Sequence, residues 1–246
     1  MFPIRDENPT VRAPVATITI IGLNILVWLF VQGAGSVWPL INSFCLYSLI
    51  PGDLLGIVPA GTVIPMIEDV GCVVDGKGSV TTLITHAFLH GSWFHIISNL
   101  WFLWIFGDNV EDVMGVFRFI GFYLLCAVAA AAAQIVSNPA AITPMVGASG
   151  AIGGVMGAYA RLYPRASVYT LIPIGFFITT AVIPAVYMLG LWFFIQLVSS
   201  LFGAEGPGGG VAFWAHAGGF VAGLILIGPM QREDYLAERR RLDPKE

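Results

Sequence analysis

The chain has 246 residues, 57% of them hydrophobic and only 11% charged, with a mean hydropathy of +0.83. Soluble domains carry about 25% charged residues, so this composition excludes an ordinary soluble fold. The net charge of −4 says little about partners, and no basic stripe with interleaved aromatics points to nucleic acid.

Crossing a bilayer takes roughly 20 mainly apolar residues, and the sequence predicts six such spans. The first, residues 13–32, is a clean apolar run. A signal peptide is the competing reading, but a signal core runs only about 7–15 residues behind a basic lead. Here Asp6 and Glu7 occupy that lead. Residues 33–80 then form a long outer loop containing Pro39, Pro51, Pro59 and Pro65. It is too apolar for a simple linker and predicts short interfacial helices, with Trp38 near the headgroups. Cys45 and Cys72 share this loop. An oxidising compartment would permit them to pair; the other reading is that Cys45 simply packs between Phe44 and Leu46. With Cys126 they form no metal-site spacing.

The second span, 87–107, holds His90, His95 and Asn99, and the third, 119–136, is rich in alanine. The fourth, 145–160, is short and glycine-rich. The fifth, 174–202, contains Pro184 and is expected to be broken or tilted at one end. The sixth is 211–230. No internal repeat is visible, and residues 127–133 are the one low-complexity stretch.

Lys and Arg placement sets the orientation. With the N-terminus inside, Arg5, Arg12, Arg118, Arg161, Arg165, Arg232, Arg239, Arg240, Arg241 and Lys245 all fall on the inner side, and Lys77 alone lies outside. The expected protein is therefore multi-pass in the cell membrane with both termini cytoplasmic. Residues 1–12 form an N-terminal cytoplasmic segment, 13–231 the six-helix membrane domain, and 232–246 a charged cytoplasmic tail.

Polar groups at membrane depth are expensive and by default functional. Ser149 lies in Gly147-Ala148-Ser149-Gly150 at the start of the fourth span, and His216 opens Ala-His-Ala-Gly-Gly-Phe-Val-Ala-Gly in the sixth. A helix starting near Ser149 would aim its positive dipole end and free N–H groups at a developing oxyanion. Ser149, Gly153 and Gly157 recur at four-residue spacing, as do Ala215, Gly219 and Gly223. Facing stripes of small residues let two membrane helices approach closely, as a Ser–His hydrogen bond of about 2.6–3.2 Å requires. The bland alternative is a packing seam in which Ser149 and His216 merely bond across helices.

A third motif weighs against it. His95 and Asn99 are four residues apart on one face of the second span, and both can donate hydrogen bonds to an oxyanion. His86 and His90 read as structural partners for loop backbone. A zinc site on His86, His90 and His95 is the rival reading, but the glutamate of an HExxH motif is missing. No carboxylate lies near His216 upstream in its span, the nearest being Glu205 in the outer loop. A Ser–His dyad is therefore expected, with the imidazole held by packing.

These three motifs, in this order and spacing, resemble the rhomboid intramembrane serine proteases in their six-span bacterial form. The likeness runs from His86 through Gly223. It implies an all-α polytopic membrane protein, a rhomboid-like six-helix bundle with a long outer loop after the first helix. It assigns Ser149 as nucleophile, His216 as base, and His95, Asn99 and the Ser149 N–H as the oxyanion hole. Gly147, Gly150, Gly219 and Gly223 would support the site, and Glu111, twelve positions past Asn99, would tie down the cytoplasmic end of the second span. The implied reaction is peptide-bond cleavage in or beside the transmembrane segments of other membrane proteins, within the lipid bilayer and with no cofactor or metal.

Two features depart from the family pattern. Thr81-Thr82 stands where many members have Trp-Arg, and Gly153 stands where an aromatic often packs on the catalytic histidine. Support for His216 must then come from another Phe or Trp, with Phe213, Trp214 and Phe220 nearby in sequence. The alternative function is a catalytically silent rhomboid-like binder of membrane helices. A transporter or channel would need more membrane charge or paired broken helices.

Overall fold

The computed structural model describes residues 2–67, 70–174, 177–201 and 212–241. Most of these residues are helical. Helix α1 (Val15–Leu26) runs on through a wider turn at Val27–Val31, and the segment that follows, up to residue 80, carries α2 (Val37–Tyr47) and α3 (Pro51–Leu54). A short α4 (Thr82–Thr85) precedes two 22-residue helices, α5 (Trp93–Met114) and α6 (Val116–Ser137). Then come α7 (Ser149–Leu162), α8 (Ala185–Leu201), α9 (Phe213–Met230) and α10 (Glu233–Arg240). Among the described residues α6 and α9 are both long and apolar enough to cross a membrane. Acidic residues near its end, Asp108, Glu111 and Asp112, set α5 apart.

Two small sheets accompany the helices, which the sequence reading did not include. Strand β1 (Phe2–Asp6) pairs antiparallel with β4 (Ser167–Ile174), and β4 pairs with β5 (Phe177–Pro184). After α3, β2 (Val63–Ile67) and β3 (Val70–Val73) pair antiparallel. The expected single span 174–202 is thus corrected to a strand followed by a helix. Pro184 is the reason, because it cannot donate in a helix interior and ends the strand where α8 begins. Glu205 lies outside the described residues.

The core lies where α6, α7 and α9 meet, and small residues explain why. A methyl group on Gly219 would overlap the Gly150 carbonyl oxygen, and one on Gly223 would overlap that of Gly154. The alanine face of α6 fills the third side, where Ala130 meets Gly150, Cys126 meets Gly154 and Ala133 meets Gly218. The expected seam of Ser149, Gly153 and Gly157 does face α9, where a Cβ on Gly153 would stand 3.1 Å from the His216 carbonyl oxygen and one on Gly157 would overlap that of Phe220, and the Gly150 and Gly154 carbonyls add a second line of contact with Gly219 and Gly223. Backbones this close leave no space for side chains, which is what stripes of small residues permit in membrane helices.

The other end of the bundle is held by polar groups. Glu111 accepts hydrogen bonds from the Ala16 and Thr17 N–H groups and the Thr17 hydroxyl, each at 2.8 Å. It thereby caps the start of α1, which has no side-chain cap of its own. Asp112 accepts from the Val11 and Arg12 N–H groups at 3.1 and 2.9 Å and pairs with the Arg12 and Arg239 guanidinium groups. Arg239 is buried, donates to Asn8 and Asn109, and stacks 3.8 Å over the Tyr163 ring. Residues 2–12 and the start of the charged tail are thus packed onto the bundle rather than hanging from it.

Candidate active site

Ser149 is the first residue of α7. The turn before it is built around Gly147, whose φ of 129° lies in the region that favours glycine, and a Cβ there would stand 2.8 Å from His95 Nε2. The Gly147 N–H donates to the His86 carbonyl at 2.9 Å, fixing the turn to the segment before α5. Between α2 and α3, Leu49 exchanges two hydrogen bonds with Met145, at 3.1 and 2.8 Å, just upstream. Ser149 is thereby presented at the helix N-terminus, where first-turn N–H groups have no intrahelical partner and the dipole favours negative charge.

His216 comes from the first turn of α9 and is buried. Its Nε2 lies 2.7 Å from Ser149 Oγ and its Nδ1 lies 2.8 Å from Gln196 Oε1 on α8. An amide oxygen only accepts, so Nδ1 carries the proton and the Nε2 lone pair faces the serine hydroxyl. The Trp192 ring, also on α8, lies 5.7 Å from the imidazole at a tilt of 35°, and Phe213 meets it edge-on at 6.5 Å. Packing alone was expected to hold His216; a hydrogen bond from a residue the sequence reading passed over does part of the work. Of the aromatics expected to support it, Phe213 is in ring contact, and Trp192 takes the principal place. Gln196 and Trp192 are four apart on one helix face, the signal by which they were recoverable.

His95 Nδ1 accepts from the Gly91 N–H at 3.2 Å, which leaves the proton on Nε2, the nitrogen that faces the Gly147 turn. Asn99 is buried, and its side-chain nitrogen has no hydrogen-bond partner among the described residues. An amide donor left unpaired at depth is costly in a resting protein and suits a group that receives a partner during reaction. Both residues line the same cavity, of about 1040 Å³, as Ser149, His216, Trp192 and Gln196. The arrangement offers a hydroxyl, a base to take its proton, and donors beside it for an oxyanion.

His86 and His90 serve the backbone around them, as expected, the His86 ring lying against the main chain of Leu83 and Ala127 and the His90 ring against that of Phe88. Their main-chain groups make the structural bonds: the His86 carbonyl to Gly147, and the His90 N–H and carbonyl to the Gln32 side chain, each at 2.9 Å. Their ring nitrogens are buried without a well-formed hydrogen bond among the described residues. The three histidines do not converge as a metal site would require, and only the His90 and His95 rings approach, at 5.1 Å. Cys45 and Cys72 are joined in a disulfide that ties α2 to β3, and Cys126 is buried against Gly154.

Residues 77–232 match the family model described as the Rhomboid domain. Among curated proteins the chain is 31% identical over 94 residues to Rhomboid protein 1, mitochondrial, of Saccharomyces cerevisiae, a match covering 37% of this chain and 27% of that protein. It is 27% identical over 157 residues to Rhomboid-like protease 5 of Toxoplasma gondii, covering 62% of this chain and 16% of that protein. The matched stretches thus span about a quarter or less of these relatives' lengths. Proteins of this family are membrane proteins, and serine intramembrane proteases are among them. With the domain match extending over well more than half of its length, this chain belongs to the rhomboid family.

Proposed function

We propose that the protein is an intramembrane serine endopeptidase that uses a Ser149–His216 dyad to cleave transmembrane or juxtamembrane segments of other membrane proteins. The observation that carries this reading is the 2.7 Å contact between His216 Nε2 and Ser149 Oγ inside a cavity also lined by His95 and Asn99. Ser149 Oγ attacks the substrate carbonyl while His216 Nε2 takes its proton. The oxyanion receives hydrogen bonds from His95 Nε2, Asn99 Nδ2 and the Ser149 N–H. His216 then gives the proton to the leaving amine, and a water molecule, activated by the same imidazole, releases the acyl group from Ser149. Gln196 holds the imidazole in the tautomer that can do this.

The same reading makes the protein a six-span chain in the cell membrane with both ends cytoplasmic and Ser149 near the outer face. The charge distribution supports it, since the outer segment carries Lys77 as its one basic residue. The glycine seam supports it too, because direct contact between helix backbones needs no water-driven burial of side chains.

Detergent-solubilised protein should label with a fluorophosphonate probe at Ser149, and the Ser149→Ala variant should not. A wild-type chain that folds but takes up no label would point instead to a catalytically silent binder of membrane helices.

A further inference from the structure

A second cavity, of about 190 Å³, lies at the end of the bundle away from Ser149, between the close of α7, the α9–α10 junction and Pro9. Arg161, Arg239, Arg240 and Gln231 line it, with Leu162 and Leu236 beside them, and among the described residues no carboxylate does. Its volume is below the roughly 300–1,000 Å³ that encloses a whole small ligand, so it suits a headgroup rather than a complete lipid or nucleotide. We propose that this cavity binds a phosphate group through Arg161 and Arg240, carried by an anionic phospholipid or present as the free ion. The proposal stands apart from the protease reading, since no residue of the Ser149 site takes part.

The three arginines differ in what already balances their charge. Arg239 is 4% exposed and has the Asp112 carboxylate at 3.6 Å, so it forms a neutralised back wall. Arg161 and Arg240 are exposed, and neither makes an ion pair among the described residues. Two acids of α10 are engaged elsewhere, Glu238 with Arg12 and Asp234 with Arg232. Like charges facing one cavity repel, and an anion seated between them turns that repulsion into attraction.

Arg161 is also held in place. Its Nη1 donates to the Leu224 carbonyl of α9 at 2.6 Å. A Cβ on Gly228 would stand 3.2 Å from its Nη2, so the bare glycine lets the guanidinium lie against α9. A carbonyl accepts the hydrogen bond but leaves the positive charge uncompensated. An arginine that merely snorkels to the interface needs no such seat. Planar guanidinium groups meet phosphate oxygens two at a time, and the Gln231 amide adds a neutral donor. Basic cavities between membrane helices on the cytoplasmic side take anionic headgroups, and in the orientation proposed above this end faces the cytoplasm. Leu162 and Leu236 would seat the glycerol end of a lipid. A phosphate held by Arg161 and Arg240 ties α7 to α10.

The test follows thermal unfolding of the full-length protein in a neutral detergent. Dioleoylphosphatidylglycerol, zwitterionic dioleoylphosphatidylcholine, inorganic phosphate, or sodium chloride at matched ionic strength is added. Phosphatidylglycerol, inorganic phosphate or both should raise Tm by about 5 °C at about 100-fold over half-saturation. A rise with phosphatidylglycerol alone makes the lipid the source, and one with inorganic phosphate alone makes it the free ion. Arg161→Gln with Arg240→Gln should abolish the rise. Arg5→Gln with Arg241→Gln removes the same charge outside the cavity and should keep it. If the first pair does not fold, Arg161→Lys with Arg240→Lys is read in its place. That pair keeps the charge but loses the two-pronged contact, and should weaken half-saturation about ten-fold. The proposal is overturned by no rise with either anion, by a rise that phosphatidylcholine or chloride reproduces, or by a rise that the cavity variants retain in full.

Discussion

Gln196 Oε1 accepts from His216 Nδ1 at 2.8 Å, so the imidazole is oriented by a neutral amide where many serine hydrolases use a carboxylate. The acceptor sits on α8, the serine on α7 and the histidine on α9, so the Ser–His–Gln geometry depends on three helices keeping register. Gln196→Leu removes the acceptor without adding bulk at the imidazole. It should lower kcat by roughly 10²-fold, the low end of what positioned proton transfer contributes, while KM stays near the wild-type value. Gln196→Glu keeps an acceptor at the same reach and should retain more turnover than the Leu variant. Steady-state kinetics with one reporter substrate separates this from a structural role, which would lower the active fraction and leave the two variants alike.

Ser149→Ala and His216→Ala should each abolish cleavage, and the double variant should be no worse, because groups that act as one unit are strongly non-additive. Both variants should keep their thermal unfolding temperature, since each leaves a small residue at a small-residue seam. Cleavage by purified Ser149→Ala protein at the wild-type rate would end the mechanism.

Asn99→Ala deletes a donor that has no hydrogen-bond partner among the described residues. It should therefore cost little stability and lower kcat by about 10²–10³-fold, as loss of an oxyanion donor does. Parallel loss of folded protein and activity would instead make Asn99 a structural bridge.

Gly153→Phe should lower both stability and activity. A Cβ at this position already stands 3.1 Å from the His216 carbonyl oxygen and 3.7 Å from the Trp192 ring, so the space an aromatic would use is taken. Overpacking of this kind costs typically 1–3 kcal/mol. The measurement is thermal unfolding in detergent together with probe labelling, and a variant that is more active and equally stable contradicts the packing described here.

Arg239→Ala should destabilise the protein by about 3 kcal/mol, the scale for removing one partner of a buried pair. Its side chain is 4% exposed and Asp112 is fully buried. Combined with Asn109→Ala the losses should fall short of additive, because both side chains belong to one network. Full additivity would show that Arg239 acts through Asp112 alone.

Much of this arrangement was legible in the chain, and the gaps have physical causes. The start of α7 at Ser149 followed from a glycine-rich turn opening a small-residue helix, and the contact with His216 from two stripes of matching period. Those stripes do meet, but the part played by Gly150 and Gly154 was not read, because it depends on a third helix that packs Ala130 and Cys126 against them. Gln196 was missed because the one signal it carries in an apolar run, its place one turn from Trp192 on the same helix face, does not name the residue it bonds. The break before α8 was anticipated at Pro184, but not its form. A strand rich in β-branched residues such as Ile178, Thr179, Thr180 and Val182 reads like membrane helix when only hydropathy is counted. The disulfide was left open because distance in space, and not spacing in sequence, determines whether two cysteines pair.

The hydrogen bond from Arg239 to Asn8 spans 231 positions of sequence, and the one to Asn109 spans 130. During synthesis Asp112 and Asn109 therefore enter the membrane region well before the cation that completes their network exists, with Arg12 as the one counter-charge already made. Closure of this end of the bundle is consequently a late event in biogenesis. A truncation after residue 231, chosen to trim an exposed tail, would arrest the protein in that earlier state with a buried carboxylate and amide half satisfied.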